Sequence, residues 1–397
     1  MNTIVFPDFL IDVVNTKVFI DCFFIDKIYR IRLKFIKIYL NMSINIPMLR
    51  RSLWRLLGNK SYEKLCDKEW TISPACVTYT KPALYLPGAT EMVTASHPLS
   101  NLELEMLRIK GGRTEHGATI ARVLPNAEVY GGYIYKKAAK IPISAKKENL
   151  FLEKQITENK DSAVLACSLI DSLYFGHWMT DGIPLLMAAR ELGSPIRNTD
   201  VLTLHQKDYL SMLGMNYGSF IAGRIRKLII LEDYGQNNYK RERYQKIRER
   251  FHALYPKSTH PGAMIFRGKS GNNLLASGHS RVLINEEEIA VYLQSIGFKI
   301  IDPSKQSAKE IAENISGARI VISNEGSHTP HGLYPMANNG TLINILPPFH
   351  FNNVLKGQTD CMDLQYAFVV GDACDGGFRV PMDILKKTLD LVSATYP

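Results

Sequence analysis

Short apolar runs of strand length alternate with amphipathic stretches of helical length from about residue 161 to the end of the chain. The run at 162–170 has the length of a buried strand, and the stretch at 174–192 has helical spacing and ends at Gly193. Strands separated by helices of roughly ten residues are typical of parallel βαβ units, so the pattern predicts a parallel α/β architecture. Further elements predicted in this first block are strands at 201–205 and 227–231, a short helix at 208–213 and a densely charged, solvent-exposed helix within 234–255.

A second alternating block follows a proline-bounded linker at 256–261. Two of its helix starts carry a capping residue with Glu three positions later, at Asn285 with Glu288 and at Ser307 with Glu310. Two such blocks predict two doubly wound, Rossmann-type domains that face each other across a cleft, preceded by a smaller β-rich part. The predicted strands of the second block are 263–267, 299–301, 319–322 and 341–346, the last helix is predicted at 381–392, and strands of the β-rich part are predicted at 83–87 and 128–134.

These blocks divide the 397 residues into four segments. Length alone favours two or three domains, at about 150 residues each. We expect an N-terminal arm at 1–65, an N-terminal domain at 66–257, a C-terminal Rossmann-like domain at 258–380 and a closing helix at 381–397.

Composition indicates a packed globular protein with an excess of positive charge. Apolar residues make up 46% of the chain and charged residues 22%, which excludes disordered, collagen-like and coiled-coil classes. The formal net charge of +10 favours an anionic partner: a nucleotide diphosphate, an acidic glycan, a membrane face or nucleic acid. The six cysteines show no Cys-x-x-Cys or metal-finger spacing, so we expect reduced, mostly buried thiols.

The N-terminal arm mixes basic and large apolar residues. Residues 1–60 hold ten Lys or Arg residues and four Asp residues, and no uncharged run there reaches the 18 or so residues of a membrane span. It also lacks the organisation of a signal peptide. Three interpretations stay open: a helix lying on an anionic membrane, an ordinary packed arm, or translated sequence upstream of a true start at Met42 or Met48.

The first candidate site is a polar loop directly after the predicted strand at 162–170. In a helix that includes Tyr174, His177 and Asp181 lie four residues apart and share one face. A carboxylate beside an imidazole can fix its tautomer and raise its basicity, as a general base requires. The alternative is that His177 packs against the sheet and Asp181 only binds backbone.

The second candidate site follows the predicted strand at 319–322. Gly326 permits close approach of backbone to a ligand, and the residues after it are expected to open a helix whose free N–H groups suit a phosphate. Ser327 and His331 are four apart and could contact the same anion, while Glu325 could accept hydrogen bonds from sugar hydroxyls. Arg267 and Arg281 flank a polar loop at 268–278 and could neutralise a diphosphate.

Several motifs are absent from the sequence. There is no Gly-x-x-x-x-Gly-Lys-Ser/Thr loop, no Gly-x-Gly-x-x-Gly fingerprint and no Gly-x-Ser-x-Gly elbow, which argues against NTPases, dehydrogenases and serine hydrolases of those types. Sugar-nucleotide enzymes that hold a divalent metal commonly use an Asp-x-Asp pair, and none occurs. We therefore expect a site that works without a metal or other cofactor.

The order of three motifs resembles glycosyltransferase family 61. They are the His177-Trp178 loop, the helix start at 281–288 with Gly297-Phe298 beyond it, and the segment ARIVISNEGSHTPH at 318–331. The resemblance implies a GT-B architecture and inverting transfer from a nucleotide sugar without a bound metal. The second loop departs from the eukaryotic pattern Gly-Pro-His-Gly-Ala-Gly-Leu-Thr-Asn and is more similar to bacterial capsule-biosynthesis members.

The leading hypothesis is a bacterial enzyme that moves a sugar from a nucleotide diphosphate to a growing surface or capsular polysaccharide. Either His177 or Asp181 would remove the proton of the acceptor hydroxyl. Its partners would be the donor and a glycan or lipid-linked acceptor, with no nucleic acid. The expected location is the cytoplasm, with peripheral contact at the inner membrane face through residues 1–60 as a further expectation. Two alternatives remain: another sugar-nucleotide enzyme such as an epimerase, and a non-catalytic glycan-binding or scaffold subunit of a polysaccharide assembly complex.

Overall fold

A computed structural model describes residues 51–52, 61–144, 158–199, 201–268, 275 and 280–395. Nearly all of the predicted N-terminal arm and most of the polar loop at 268–278 lie outside these residues. The described chain is a mixed α/β protein with two main sheets, as the hydrophobic pattern predicts. None of the described helices is both long enough and apolar enough to span a bilayer.

The first sheet is mixed. Its path runs β6 (Ala139–Pro142), β5 (Tyr133–Lys136), β4 (Thr119–Tyr130), β10 (Gly223–Glu232), β7 (Glu158–Leu165), β8 (Pro195–Arg197) and β9 (Gly218–Ser219), and β1 (Lys68–Ser73) pairs with β4 off this path. The strands from β10 to β9 are parallel, whereas β4 runs antiparallel to β1, β5 and β10. The strands β4–β6 lie in the smaller β-rich part that the sequence predicts, and the antiparallel β4–β10 pair joins that part to the parallel strands in one sheet.

Short turns explain this difference. Gly131 and Gly132 both have positive φ between β4 and β5, and Lys137 has positive φ between β5 and β6. Turns this tight can join only antiparallel strands, since a parallel pair needs a crossover of roughly a dozen residues or more. We call residues up to 257 the first half of the protein and residues from 258 the second half. The helices of the first half are α1 (Leu102–Lys110), α2 (Leu169–Leu173), α3 (Phe175–His177), α4 (Ile183–Leu192), α5 (Leu204–Leu213) and α6 (Asn238–Leu254). One turn of π-helix lies at Trp178–Gly182 between α3 and α4.

The second sheet is doubly wound as predicted. Its five parallel strands lie in the order β12 (Lys299–Ile301), β11 (His260–Ile265), β13 (Ala318–Asn324), β14 (Thr341–Leu346) and β15 (Gln365–Val370). Helices α7 (Glu286–Ser295) and α10 (Met382–Ser393) pack on one face, and α8 (Ala308–Ile315) and α9 (Val354–Cys361) on the other. The connection order reverses between β11 and β13, and ligands in such sheets bind outside this switch point. Two small antiparallel sheets of two strands each are also present, β2 (Cys76–Thr80) with β3 (Gly112–His116) and β16 (Asp372–Cys374) with β17 (Gly377–Arg379), and a 3-10 turn lies at Glu63–Leu65.

Two short segments differ from the predicted strands. The Thr203 hydroxyl accepts a hydrogen bond from the backbone N–H of Gln206, and the backbone N–H of Thr203 donates to Gln206 Oε1. This capping box begins α5 where a strand was expected at 201–205. In 83–87, Leu84 makes an isolated parallel bridge to Ala367 on the edge strand β15.

One hydrophobic core joins the two halves. Trp178 and Tyr209 of the first half share a cluster with Val321 and Tyr366 of the second. Residues 83–105, although early in the chain, bond to the second half: Leu84 exchanges hydrogen bonds with β15, and residues 94–97 bond to 348–351. The helix α6 also contributes, since it lies against both halves and buries three of its cations, Lys240, Arg243 and Arg248. The prediction of a solvent-exposed charged helix is therefore wrong for this face of α6.

Candidate functional site

A cavity of about 960 Å³ lies where the two predicted loops meet. His177 enters it from the first loop, and Glu325 enters from the end of β13. Seven of the eight residues predicted from the sequence line this one space; Asp181 stands behind His177 and does not line it. The seven are His177, Arg267, Arg281, Glu325, Gly326, Ser327 and His331.

His177 and Asp181 form the predicted pair. The turn of π-helix between α3 and α4 keeps the two on one side, and His177 Nδ1 lies 2.8 Å from Asp181 Oδ2. Burial raises the pKa of Asp181, but the hydrogen bond from His177 and the charge of Lys240 outweigh it and lower that pKa to about 2. An ionised carboxylate only accepts hydrogen bonds, so His177 Nδ1 is the donor and Nε2 is its second, proton-accepting nitrogen.

Lys240 is a member of this group that the sequence analysis missed. Its side chain is almost completely buried, and Nζ donates to Asp181 Oδ1 at 3.1 Å and to the Asp233 carbonyl at 2.9 Å. Neighbouring Arg243 pairs with the Asp233 carboxylate. The only sequence signal was the dense charge of the helix, which does not show which cations face inward.

The second loop packs directly against the first. A Cβ atom on Gly176 would lie 3.1 Å from Ser327 Cα, and one on Gly326 would lie 2.9 Å from the His328 ring. A side chain at Gly176 would require the second loop to shift by a few tenths of an ångström, and one at Gly326 would require the His328 ring to move. The predicted helix after Gly326 is wrong: the chain forms a single 3-10 turn at Thr329–Gly332. A helix dipole therefore does not supply the phosphate site there.

Glu325 is held rather than free. Arg281 Nη1 donates to its Oε2 at 2.6 Å, Asn352 Nδ2 donates to its Oε1 at 3.1 Å, and Arg267 Nη1 donates to its backbone carbonyl at 2.5 Å. One guanidinium group, that of Arg281, thus pairs with the Glu325 carboxylate, whereas that of Arg267 is held by the Glu325 backbone carbonyl. Two cations and one carboxylate leave a net positive charge among these three side chains. Burial, together with Arg267 and Arg281, lowers the pKa of His328 to about 3, so this ring adds no charge.

Comparison with known proteins bears on these same loops. Residues 175–343 match the family model of glycosyltransferase 61. This region belongs to glycosyltransferase family 61. The match begins at α3 and ends within β14, so it contains all eight predicted site residues and Lys240. No curated protein gives a significant match to the chain.

The enzyme is thus a glycosyltransferase, and its candidate site is the cavity between the matched loops. His331 has a different environment from the other predicted residues. It is 1% exposed, its Nδ1 lies 2.6 Å from the Tyr209 hydroxyl, and its ring lies 4.8 Å from that of Phe175. Its main contacts therefore connect the second loop to α3 and α5.

The glycosyltransferase cavity also contains residues that no sequence motif indicated. His97, Asn344, His350 and Gln358 line its wall, and the last three are nearly or completely buried. They come from the early segment, from β14 and from around α9, so no local spacing relates them. Among the residues that the structure describes, no three His, Cys, Asp or Glu side chains come together in an arrangement that could hold a metal ion.

Proposed function

We propose that the chain is an inverting glycosyltransferase that uses a nucleotide diphosphate sugar. The observation that carries this proposal is that one cavity receives both an oriented imidazole, His177, and two guanidinium groups, Arg267 and Arg281. Inverting transfer needs a base at the acceptor hydroxyl and a positive environment at the departing phosphate.

In the proposed reaction, the acceptor hydroxyl gives its proton to His177 Nε2 and its oxygen forms a bond to the anomeric carbon of the donor. The bond between that carbon and the diphosphate oxygen breaks, and the diphosphate leaves with the electron pair. Asp181 keeps the imidazole in the accepting tautomer and stabilises the imidazolium that forms, as a buried carboxylate does in other oriented His pairs.

The positive charge required at the departing diphosphate would come from Arg267 and Arg281. Fixed guanidinium groups in a cavity can stabilise a developing phosphate charge, and here the Glu325 carboxylate is paired with Arg281 while Arg267 is held by the Glu325 backbone carbonyl. Ser327, the exposed residue of the second loop, would contact the same phosphates. We therefore propose that the reaction needs no bound metal, and activity should persist in EDTA.

The finer points of the proposal concern architecture and substrate. We propose that the donor lies on the doubly wound sheet and the acceptor on the mixed sheet, in a GT-B-like arrangement of the segments 66–257 and 258–380. The acceptor would be a growing surface or capsular polysaccharide, glycan or lipid-linked, at the cytoplasmic face of the membrane. Membership in glycosyltransferase family 61 favours this function over an epimerase or a non-catalytic scaffold.

Calorimetry with UDP, GDP, CDP and unrelated ATP, each with and without EDTA, tests the proposed donor class. We expect selective binding of one sugar-type nucleotide, unchanged by EDTA. Absence of binding to all four would contradict a nucleotide diphosphate donor, and binding lost in EDTA would contradict the metal-free site. Arg281→Gln should weaken the binding that is found, with exposed Arg113→Gln as the matched control.

A further inference from the structure

Three buried residues of the cavity lining carry polar side-chain atoms that nothing in the described protein satisfies. Asn344, His350 and Gln358 are 0%, 3% and 5% exposed, and all three line the cavity. Across the described ranges, Asn344 Oδ1, His350 Nδ1 and Gln358 Oε1 have no hydrogen-bond partner. Buried polar groups in native proteins are almost always paired, so three unpaired atoms in residues that line the same cavity point to a polar ligand.

A chain of hydrogen bonds fixes which end of the Asn344 amide is unpaired. Glu105, which is buried and paired with Arg108, can only accept, so Asn353 Nδ2 donates to it at 3.2 Å. Asn353 Oδ1 then accepts from the Tyr366 hydroxyl at 3.0 Å, and that hydroxyl accepts from Asn344 Nδ2 at 3.1 Å. The Glu105 carboxylate therefore sets the direction of every hydrogen bond in this chain. The unpaired atom at its far end is Asn344 Oδ1, which is an acceptor.

The same reasoning assigns a donor to His350. Arg281 always donates, so the 3.3 Å contact between its Nη1 and His350 Nε2 makes that nitrogen an acceptor. Burial lowers the pKa of His350 to about 4, so the ring is neutral near pH 7 and its proton lies on Nδ1. The lining therefore combines an N–H donor with the carbonyl oxygens of Asn344 and Gln358, and none of these three groups carries a charge.

We propose that Asn344, His350 and Gln358 form a binding subsite for an uncharged group with hydroxyl or N–H donors. Asn344 Oδ1 and Gln358 Oε1 accept from it, and His350 Nδ1 donates to it. Glu105, Asn353 and Tyr366 act as positioning residues that orient the Asn344 amide. The three subsite residues lie beyond the 175–343 region that matches the family model. This inference rests on the proposed nucleotide sugar donor, whose sugar ring or nucleoside would supply the hydroxyl or N–H groups.

Binding to Asn344→Leu measured by calorimetry tests the subsite. The probes are UDP and UDP-glucose, or GDP and GDP-mannose if the guanine nucleotide is the one that binds. The substitution keeps the branching of the side chain but removes the acceptor Oδ1, together with the Nδ2 donor to Tyr366. We expect affinity to fall about fivefold to tenfold for a lost hydrogen bond to a buried partner. Thr341→Val, equally buried on β14 but outside the cavity lining, is the matched control and should keep the parental affinity.

Comparison of the two probes identifies the group that is bound. If Asn344→Leu loses affinity for the nucleotide sugar alone, the subsite contacts the sugar ring. If it loses affinity equally for both probes, the subsite contacts the nucleoside. Tyr366→Phe provides a second test, because it leaves the cavity lining intact but frees the Asn344 amide to rotate. This variant should lower the affinity for the same probe by a smaller factor. Parental affinity in both variants would overturn the subsite and leave the proposed function standing. No binding of any probe to the unmodified enzyme would overturn the donor proposal and this inference with it.

Discussion

At the scale of single residues, the site depends on how charges are paired behind the cavity wall. Asp181 contacts the catalytic candidate His177 on one side and the buried cation Lys240 on the other. Because its pKa is lowered to about 2, Asp181 is ionised throughout the working pH range and is itself a very weak base. Of the two candidates that the sequence left open, His177 is therefore the one we propose as the base.

His177→Ala should lower kcat by about 10²- to 10⁴-fold, the contribution typical of a general base, while donor affinity persists. Lys240→Met should lower kcat by a smaller factor, because it removes a charge behind Asp181 and leaves the imidazole in place. The matched controls are His116→Ala, outside the cavity, and Lys246→Met, on the exposed face of α6. Unchanged turnover in His177→Ala would show that another residue is the base.

Asp181 should also give a signature in the pH dependence of stability. Folding lowers its pKa from the ordinary 3.8 to about 2, so the folded state binds the proton less tightly than the unfolded state. The resulting stabilisation is fully present above about pH 5 and is lost as the pH falls towards 2. The free energy of unfolding in urea, measured from pH 5.5 to pH 3, should therefore fall more steeply for the unmodified protein than for Asp181→Asn. Parallel profiles would contradict the lowered pKa.

At the scale of elements, the sequence predicts those helices and strands whose bounds depend on neighbouring residues in the chain, such as helix caps and short apolar runs. The capping box at Ser307 and Glu310 begins α8 as predicted, and the apolar runs at 299–301 and 341–346 are strands with those bounds. The strand predicted at 201–205 was wrong because Thr203 and Gln206 satisfy each other locally, which favours a helix start over a short apolar run. Lys240 could not be recognised because its partners, Asp181 and Asp233, lie in other elements.

The contact between α3 and the second loop gives a prediction at this scale. Gly176→Ala should lower kcat/KM, because the new Cβ would lie 3.1 Å from Ser327 Cα and would push the two loops apart. The matched control is Gly357→Ala in α9, another helical glycine, where a Cβ meets nothing within 4 Å. That control should raise the free energy of unfolding by about 0.5–1 kcal/mol, the usual helical gain of Ala over Gly. Full activity in Gly176→Ala would show that the loops tolerate separation.

At the scale of the whole molecule, the halves are joined by polar contacts as well as by the shared core. Arg248 of α6 is buried without a carboxylate, and it donates to the carbonyls of Leu333, Met336 and Ala337 in the second half. Burial lowers its pKa to about 10, which still leaves it charged at neutral pH. The sequence predicts the two blocks but not the hydrogen bonds of Arg248 that connect them, because these bonds join residues about 85 positions apart.

Arg248→Leu should lower the free energy of unfolding by at least about 3 kcal/mol, since several buried carbonyls would lose their donor at once. Lys246→Gln, on the exposed face of the same helix, should change it by less than about 0.5 kcal/mol. Both values can be measured by urea unfolding followed by tryptophan fluorescence. Equal stability of the two variants would show that Arg248 does not join the halves.

The early segment at 83–105 has a consequence for protein engineering. Its Leu84 covers the edge of β15, and its Glu105 bonds to Asn353, although both precede the second half by more than 150 residues in sequence. A chimaera that replaces only the C-terminal half would place Leu84 and Glu105 of one parent against β15 and residue 353 of the other. The transferable unit is therefore discontinuous: residues 258–395 together with 83–105 have to come from the same parent.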